Sequence, residues 1–182
     1  MIGNKAKKIA EQLGINAKPS DIASSVKEAS IIILSIPFEA IAGFLKDYEK
    51  DHEGKIIIDP SNPIAPDENG GFKKIIDANG SAGQINALSL PNGARLVKAL
   101  GTLGAASLTE AAFQSPERAV LFYASDDISI NSVVDEFIQD IGFQAVRIGG
   151  IDQSIPIEIF GDQHQFGALG KIVSLSEART KI

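Results

Sequence analysis

Segments with a helical pattern of apolar residues alternate with short apolar runs along most of this chain. Apolar side chains recur at three- and four-residue intervals over 4–13, 38–50 and 128–141, which predicts three amphipathic helices. The alternation predicts a doubly wound α/β domain with a parallel sheet, in which the first three strands are parallel neighbours. Apolar runs typical of strands buried on both faces of such a sheet lie at 31–36 and within 55–59. Further strands are predicted at 95–100, 119–123 and 144–148.

The connecting segments carry weaker patterns. Proline and glycine are concentrated in 60–71, and we expect this stretch to be a loop that is long enough to be functional. The other expected elements are a short strand at 15–18, a second helix capped by Ser20, helices near 72–78 and 82–89, irregular chain over 101–118, and a partly helical tail over 155–180.

Length, charge and composition narrow the class of protein. The 182 residues fit one domain, spanning 1–182. The net charge of −6 argues against a nucleic-acid-binding face. The absence of cysteine excludes disulfides and thiol catalysis, and two histidines alone do not make a metal site. No targeting segment and no apolar run of ~20 residues is visible, so we expect a cytoplasmic protein without membrane contact.

Two of the predicted strands end in unusual sequences. Ser35, Ile36 and Pro37 close the first strand, and Asn62 and Pro63 follow the second. Doubly wound sheets bind ligands at the carboxyl ends of their strands, and prolines can form a rigid shelf for a planar ring. Asn62 offers donors and an acceptor to a carboxamide or a ribose. The alternative is that both segments are ordinary turns.

Several motifs give the chain a resemblance to a known family. The sequence Ile-Pro at 36–37, the Ser-Asn-Pro at 61–63 and the run Leu-Pro-Asn-Gly-Ala-Arg-Leu-Val-Lys-Ala at 90–99 are the more specific ones. Together they resemble the NADP oxidoreductases that depend on the deazaflavin coenzyme F420. Weaker matching pieces lie at 125–127, 141–143, 149–150 and 158–164.

The resemblance implies a Rossmann-like fold and an oxidoreductase that uses NADP. Hydride would pass between the nicotinamide and coenzyme F420, a flavin or a similar small redox partner, in a homodimer as in relatives. Asn4 and Lys5 would read the ribose 2′ position, while Ser35, Ile36, Pro37, Asn62 and Pro63 would complete the cofactor site. Lys98 and Thr102 are candidates for substrate contacts, although Lys98 could equally be a surface lysine. No catalytic acid or base is assigned, because the cofactors carry the chemistry.

One expected part of the family pattern has no counterpart in the sequence. No G-x-G-x-x-G occurs, and the opening residues resemble the end of a second strand, so we expect an N-terminally incomplete fold. Either the start lies inside a longer reading frame, or this is a truncated, non-catalytic homologue that keeps the fold and a self-association surface. In both cases the 182-residue chain should bind NADPH weakly, because the Gly-rich turn provides the main pyrophosphate contacts.

The remaining polar and apolar signals have simpler interpretations. His52 lies in a charged helix end and is expected to be solvated, and His164 is expected to be structural. Asp126 or Asp127 should cap the helix that follows. The apolar residues of 151–182, above all Ile155, Ile157, Ile159 and Phe160, predict a dimer contact.

Overall fold

The computed structural model describes residues 2–180. Its α-helices are α1 Asn4–Leu13, α2 Ile22–Glu28, α3 Phe38–Asp47, α4 Ala82–Ala87, α5 Ala105–Ala111, α6 Asn131–Asp140 and α7 Leu175–Ala178. Its strands are β1 Ile31–Ile33, β2 Ile56–Asp59, β3 Ile64–Pro66, β4 Phe72–Lys74, β5 Arg95–Lys98, β6 Val120–Ala124 and β7 Gln144–Gly149. Short 3-10 turns lie at Gly14–Asn16, Glu49–Asp51, Ile128–Ile130, Ile151–Gln153 and Ile155–Ile157.

The main sheet has five strands in the order β1-β2-β5-β6-β7. Strands β1, β2 and β5 are parallel neighbours, as predicted, and β6 is parallel to β7. The two groups meet in a single antiparallel pair, Lys98 with Ala124, so the sheet is mostly rather than wholly parallel. The doubly wound α/β class is therefore confirmed, with this one reversal where α5 connects β5 to β6.

Apolar residues fill the space on both faces of the sheet. Ile57 and Leu96 point to one face, where they pack with Ile41 and Leu45 of α3. On the other face, the neighbouring strand residues pack with α6, and this cluster includes Ile56, Ile58, Val97, Leu121, Tyr123, Val134 and Ile138. This two-sided burial explains why the strands read as continuous apolar runs rather than as alternating ones.

Local structure differs from the prediction at several short elements. The chain at 14–16 forms a 3-10 turn rather than a strand, and α2 is capped by Asp21, whose Oδ1 accepts the Ser24 N–H at 3.0 Å, not by Ser20. The expected helix near 72–78 is instead β4, which pairs antiparallel with β3 in a hairpin inside the expected loop. Asp67 stabilises the hairpin turn by accepting N–H bonds from Asn69 and Gly71.

His52 differs from its expected position, whereas one of the two candidate caps, Asp126 and Asp127, behaves as expected. His52 is fully buried and packs edge-on against Phe44, with ring centroids 5.7 Å apart. Of the two aspartates expected at the helix start, Asp127 caps the 3-10 turn before α6 by accepting the Ser129 N–H. Asp126 instead accepts the Ile151 N–H at 2.8 Å and ties the end of β6 to the segment after β7.

The C-terminal segment folds back over the carboxyl ends of the strands. Ile157 and Ile159 are buried in the protomer, which corrects their assignment to an exposed apolar cluster. Ile157 packs against Val120 and Phe122 of β6, and of the four residues named for the contact, Ile155 and Phe160 keep large exposed surfaces. Self-association through this segment stays a prediction. No helix within residues 2–180 is long and apolar enough to cross a membrane.

Candidate functional site

A cleft of about 410 Å³ opens at the carboxyl ends of β1, β2 and β5. Ligand sites in doubly wound sheets lie at such strand ends, and the volume falls in the usual range for small-ligand pockets. A larger hollow of about 500 Å³ lies between α3 and the α4–β5 connection, away from these ends. The cleft is lined by Leu34, Ser35, Ile36, Pro37, Pro60, Ser61, Asn62, Leu100, Gly101, Leu103, Ala105 and Leu108.

A buried ion pair supports the floor of the cleft. Lys98 and Asp59 are register partners on β5 and β2, and their side chains meet at 3.1 Å while both are almost fully buried. The Lys98 ammonium also donates to the Ser61 carbonyl. Asp59 in turn accepts the Ser61 N–H at 2.8 Å and the Asn86 amide at 2.9 Å. Every oxygen of this carboxylate thus has a donor, which is what a buried charge requires.

Asn62 connects three segments around the cleft. Its amide nitrogen donates to the Gly101 carbonyl at 3.0 Å, and its oxygen accepts the Ile159 N–H at 2.7 Å. The side chain therefore joins the β2 loop to the β5–α5 loop and to the C-terminal segment. Its hydrogen-bonding groups are used inside the protein, so Asn62 shapes the wall of the cleft.

The β5–α5 loop approaches the β2 loop closely. A Cβ atom on Gly101 would lie 2.6 Å from the Pro60 carbonyl oxygen, so only glycine fits there. The preceding Leu100 has φ +66°, a left-handed conformation that is strained for a branched side chain. Strain of this kind collects at functional sites when the surrounding structure holds it in place.

Two buried hydroxyl groups beside the cleft have no partner among the residues that the structure describes. The Ser61 hydroxyl lies in the lining of the cleft, and Ser61 is 8% exposed. The Thr102 hydroxyl is buried behind the lining. A buried polar atom without a partner is unfavourable by about 1–3 kcal/mol unless something else binds it. Of these two residues, only Ser61 belongs to the cleft lining.

The structure brings together only part of the predicted site. Ser35, Ile36, Pro37 and Asn62 line the cleft, whereas Pro63 is buried beside it. The two N-terminal candidates, Asn4 and Lys5, are exposed on the first turn of α1, a helix with no buried residue.

The two substrate candidates lie behind the cleft rather than in it. Lys98 is neither a surface lysine nor part of the lining, since its ammonium is held by Asp59. Thr102 is buried one residue beyond Gly101.

Several residues of the site were missed from the sequence. The Asp59–Lys98 pair had a signal: each is a charge at the carboxyl end of a buried strand, and buried charges on neighbouring strands must pair. The left-handed Leu100 and the close approach at Gly101 have no local signal, because both depend on how two distant loops meet.

The lining residues are all uncharged. No three histidine or carboxylate side chains converge as metal ligands anywhere in residues 2–180. His164 lies in the C-terminal segment next to the β5–α5 loop, and its pKa is lowered by burial, an effect that the Gly101 carbonyl opposes. The cleft thus offers apolar walls, rigid prolines and the hydroxyl groups of Ser35 and Ser61 rather than a general acid or base.

Known proteins share both sequence and fold with this chain. Residues 3–63 match the family model of the coenzyme F420-dependent NADP oxidoreductases. The chain is 28% identical over 157 residues to the F420-dependent NADP reductase of Methanothermobacter marburgensis, covering 85% of this chain and 69% of that protein.

Two solved structures have the same fold. A hypothetical protein, SMa0349 from Sinorhizobium meliloti, superposes with a TM-score of 0.76 at 26% identity over 93% of this chain and 78% of its own. A putative F420-dependent NADP reductase from Arthrobacter sp. FB24 gives a TM-score of 0.61 at 19% identity over 72% of this chain and 60% of its own, which shows the fold alone. Together with the motifs at 36–37, 61–63 and 90–99, the family-model match and the curated match confirm the resemblance of this chain to the coenzyme F420-dependent NADP oxidoreductases.

Proposed function

We propose that this protein is an NADP(H)-dependent oxidoreductase that transfers hydride between nicotinamide and a deazaflavin or a similar planar redox partner. The observation that carries the proposal is the cleft at the ends of β1, β2 and β5, whose lining is uncharged throughout. The sequence relationship to the methanogen reductase supports the choice of cofactor and partner.

The lining suits hydride transfer because that reaction needs orientation and exclusion of water more than acid–base groups. When bound, the nicotinamide supplies or accepts the hydride. Pro37 and Pro60 present rigid apolar surfaces from the two neighbouring loops. Leu100 and Leu103, from the β5–α5 loop, extend the apolar wall of the cleft. They would keep water away from the bound nicotinamide ring.

Ser61 would hold the polar end of the nicotinamide. Its hydroxyl is buried in the lining and lacks a partner, so it can donate to a carboxamide oxygen. The Asp59–Lys98 pair fixes the Ser61 backbone from below, through the Ser61 N–H and carbonyl. These bonds hold the Ser61 backbone in place before any ligand binds.

The test is a titration of the purified chain with NADPH and with NADH, followed by an assay of deazaflavin reduction under each. We expect weak, near-millimolar binding of NADPH with turnover at high NADPH concentration, and Ser61→Ala should weaken that binding by about a further three- to tenfold, the effect of one hydrogen bond. Ser132→Ala, on the exposed face of α6, is the control and should change nothing. Absence of turnover in a chain that binds NADPH would favour the non-catalytic homologue.

A further inference from the structure

Phe166 stands at the rim of the cleft with its ring in the solvent. A Cβ atom on Gly104 would lie 3.5 Å from the Cε2 and Cζ atoms of this ring. Gly104 is the N-cap of α5 and lies between Leu103 and Ala105, two residues of the cleft lining. The side chain is 57% exposed, so one large aromatic surface remains open next to the cleft.

The backbone that carries Phe166 is held firmly against the β5–α5 loop. The Gln165 N–H donates to the Thr102 carbonyl at 3.0 Å, and the Gln165 side chain accepts the Gly104 N–H at 2.9 Å. The Phe166 N–H donates to Nδ1 of the buried His164 at 3.0 Å, and the two rings are 5.5 Å apart. The backbone that carries the exposed ring is thus held by hydrogen bonds on both sides.

The same segment is closed on itself by tight backbone packing. A Cβ atom on Gly167 would lie 1.9 Å from the Gly161 carbonyl oxygen. A Cβ atom on Gly161 would lie 2.3 Å from the Ile155 carbonyl oxygen. The turn therefore has no room to rearrange, and Phe166 cannot move into the core without disrupting it.

An exposed and rigid ring at this place has a specific use. None of the lining residues is aromatic, and Phe166 adds an aromatic surface next to Gly104 at the edge of the lining. A ring that is already ordered loses little conformational entropy when a ligand packs against it. Stacking on an aromatic side chain also tolerates different ring systems, because it uses the face of the ring rather than its edge.

We propose that Phe166 is a specificity-determining residue whose ring packs against the planar, fused heteroaromatic ring of the second redox partner. This inference rests on the proposed function, in which the cleft itself takes the nicotinamide. Flavins and deazaflavins both carry a planar tricyclic ring that could pack in this way. The experiment compares one ligand of each kind.

The experiment measures direct binding of coenzyme F420 and of FMN by the change in their own fluorescence, with and without saturating NADP⁺. We expect Phe166→Ala to raise the dissociation constant of the preferred ring about tenfold, as removal of a stacking aromatic does. Phe166→Trp should restore binding, whereas Phe166→Leu should not. Phe72→Ala is the matched control, because Phe72 is also 57% exposed but lies on β4 outside the cleft lining.

A separate NADPH titration distinguishes this inference from the proposed function. If the wild-type chain binds NADPH and Phe166→Ala leaves F420 and FMN binding within twofold, the role of Phe166 is disproved while the cofactor site stands. If Phe166→Ala weakens NADPH binding as strongly as it weakens the partner, the residue is merely structural. If the wild-type chain binds none of the three, both proposals fail.

Discussion

Gly101 sets the shape of the cleft because no side chain fits between its loop and Pro60. A Cβ atom there would lie 2.6 Å from a backbone oxygen, and backbone cannot move aside as a flexible side chain can. We expect Gly101→Ala to lower the free energy of unfolding by about 2 kcal/mol, as overpacking does, and to weaken NADPH binding. Urea unfolding and an NADPH titration measure the two effects.

The control for this change is Gly43→Ala. Gly43 lies on α3, and a Cβ atom there would meet nothing within 4 Å. Alanine is favoured over glycine inside a helix by about 0.5–1 kcal/mol, so this variant should be slightly more stable than the wild type. Equal stability of the two variants would show that the Pro60–Gly101 approach is not constrained.

His52 makes the protein sensitive to acid. Its ring is buried, neither ring nitrogen has a hydrogen-bond partner within residues 2–180, and desolvation lowers its pKa below the ordinary value of 6.5. Below about pH 6.5 the imidazole is protonated in the unfolded chain but stays neutral in the folded chain. The free energy of unfolding is therefore highest above about pH 6.5 and falls as the pH drops below it. Burial lowers the pKa of His164 as well, which adds a loss of the same sign.

We expect the free energy of unfolding to fall between pH 7.5 and pH 5.5, and His52→Phe to reduce that fall. Phenylalanine keeps the contact with Phe44 and removes the titrating group. Urea unfolding at the two pH values measures the difference. An equal fall in the variant and the wild type would assign the acid sensitivity to His164 or to other groups.

At the same scale, the sequence predicts the position of a site residue better than its role. Ser35, Ile36, Pro37 and Asn62 were found because the apolar runs locate the strand ends. The role of Asn62 was not predicted, because its hydrogen-bond partners Gly101 and Ile159 are 39 and 97 residues away in the sequence. Contacts at such separations depend on the meeting of loops, which no local pattern describes.

Among the elements, α4 is held by a carboxylate from the far end of the chain. Glu158 is buried and accepts the Ser81 hydroxyl at 2.8 Å and the N–H groups of Ala82 and Gly83 at 2.8 and 2.9 Å. These are donors at the start of α4, where a negative charge is favoured. The bonds tie the C-terminal segment to the β4–α4 connection.

We expect Glu158→Gln to lower the free energy of unfolding by about 2–3 kcal/mol, because an amide turns its NH₂ group towards one of these donors and loses the charge. Thermal or urea unfolding measures it. Glu177→Gln is the control: Glu177 completes the capping box of α7 but is exposed, so its loss should be below about 1 kcal/mol. Equal losses would mean that burial does not strengthen the Glu158 bonds.

Elements inside a clear apolar pattern followed from the sequence, and the β3–β4 hairpin did not. Helix α1 has the predicted bounds, and α3 and the five sheet strands are close to theirs, because each has a full apolar period to read. The β3–β4 hairpin has three-residue strands, which are too short to show alternation. Its signal was the Asn69–Gly70 pair, a dipeptide typical of hairpin turns.

At the scale of the whole molecule, two apolar side chains of the C-terminal segment remain exposed, and we predict that they form a contact between two copies of the chain. Ile155 is 37% and Phe160 is 50% exposed, and Phe160 holds a left-handed φ of +65°. We expect sedimentation at tens of micromolar to show a dimer, and the double change Ile155→Ser with Phe160→Ser to shift it towards monomer. A monomeric wild type at that concentration would disprove the predicted contact.

The sheet has an open side at β1. Within residues 2–180 no strand pairs with the outer edge of β1, and Ile33 is 44% exposed there. Helix α1 has an apolar stripe, yet Ile9 and Leu13 on it are 44% and 64% exposed. The carboxyl end of β1 therefore borders the cleft on one side and solvent on the other, and the cleft offers contacts to only one end of a dinucleotide.

This asymmetry predicts how the 182-residue chain discriminates between NADPH and its nicotinamide half. The lining can hold a nicotinamide, but the sequence has no G-x-G-x-x-G turn to bind the pyrophosphate. Two or three missing hydrogen bonds to charged oxygens, each of about 1.5–3 kcal/mol, amount to ~3–9 kcal/mol and change a micromolar affinity to a millimolar one. We therefore expect NADPH and reduced nicotinamide mononucleotide to bind with dissociation constants within a few-fold of each other, both near millimolar, when measured by calorimetry. A micromolar constant for NADPH alone would show that another segment binds the phosphates, and Lys5→Ala, Lys7→Ala and Lys8→Ala on α1 would then be the first variants to compare.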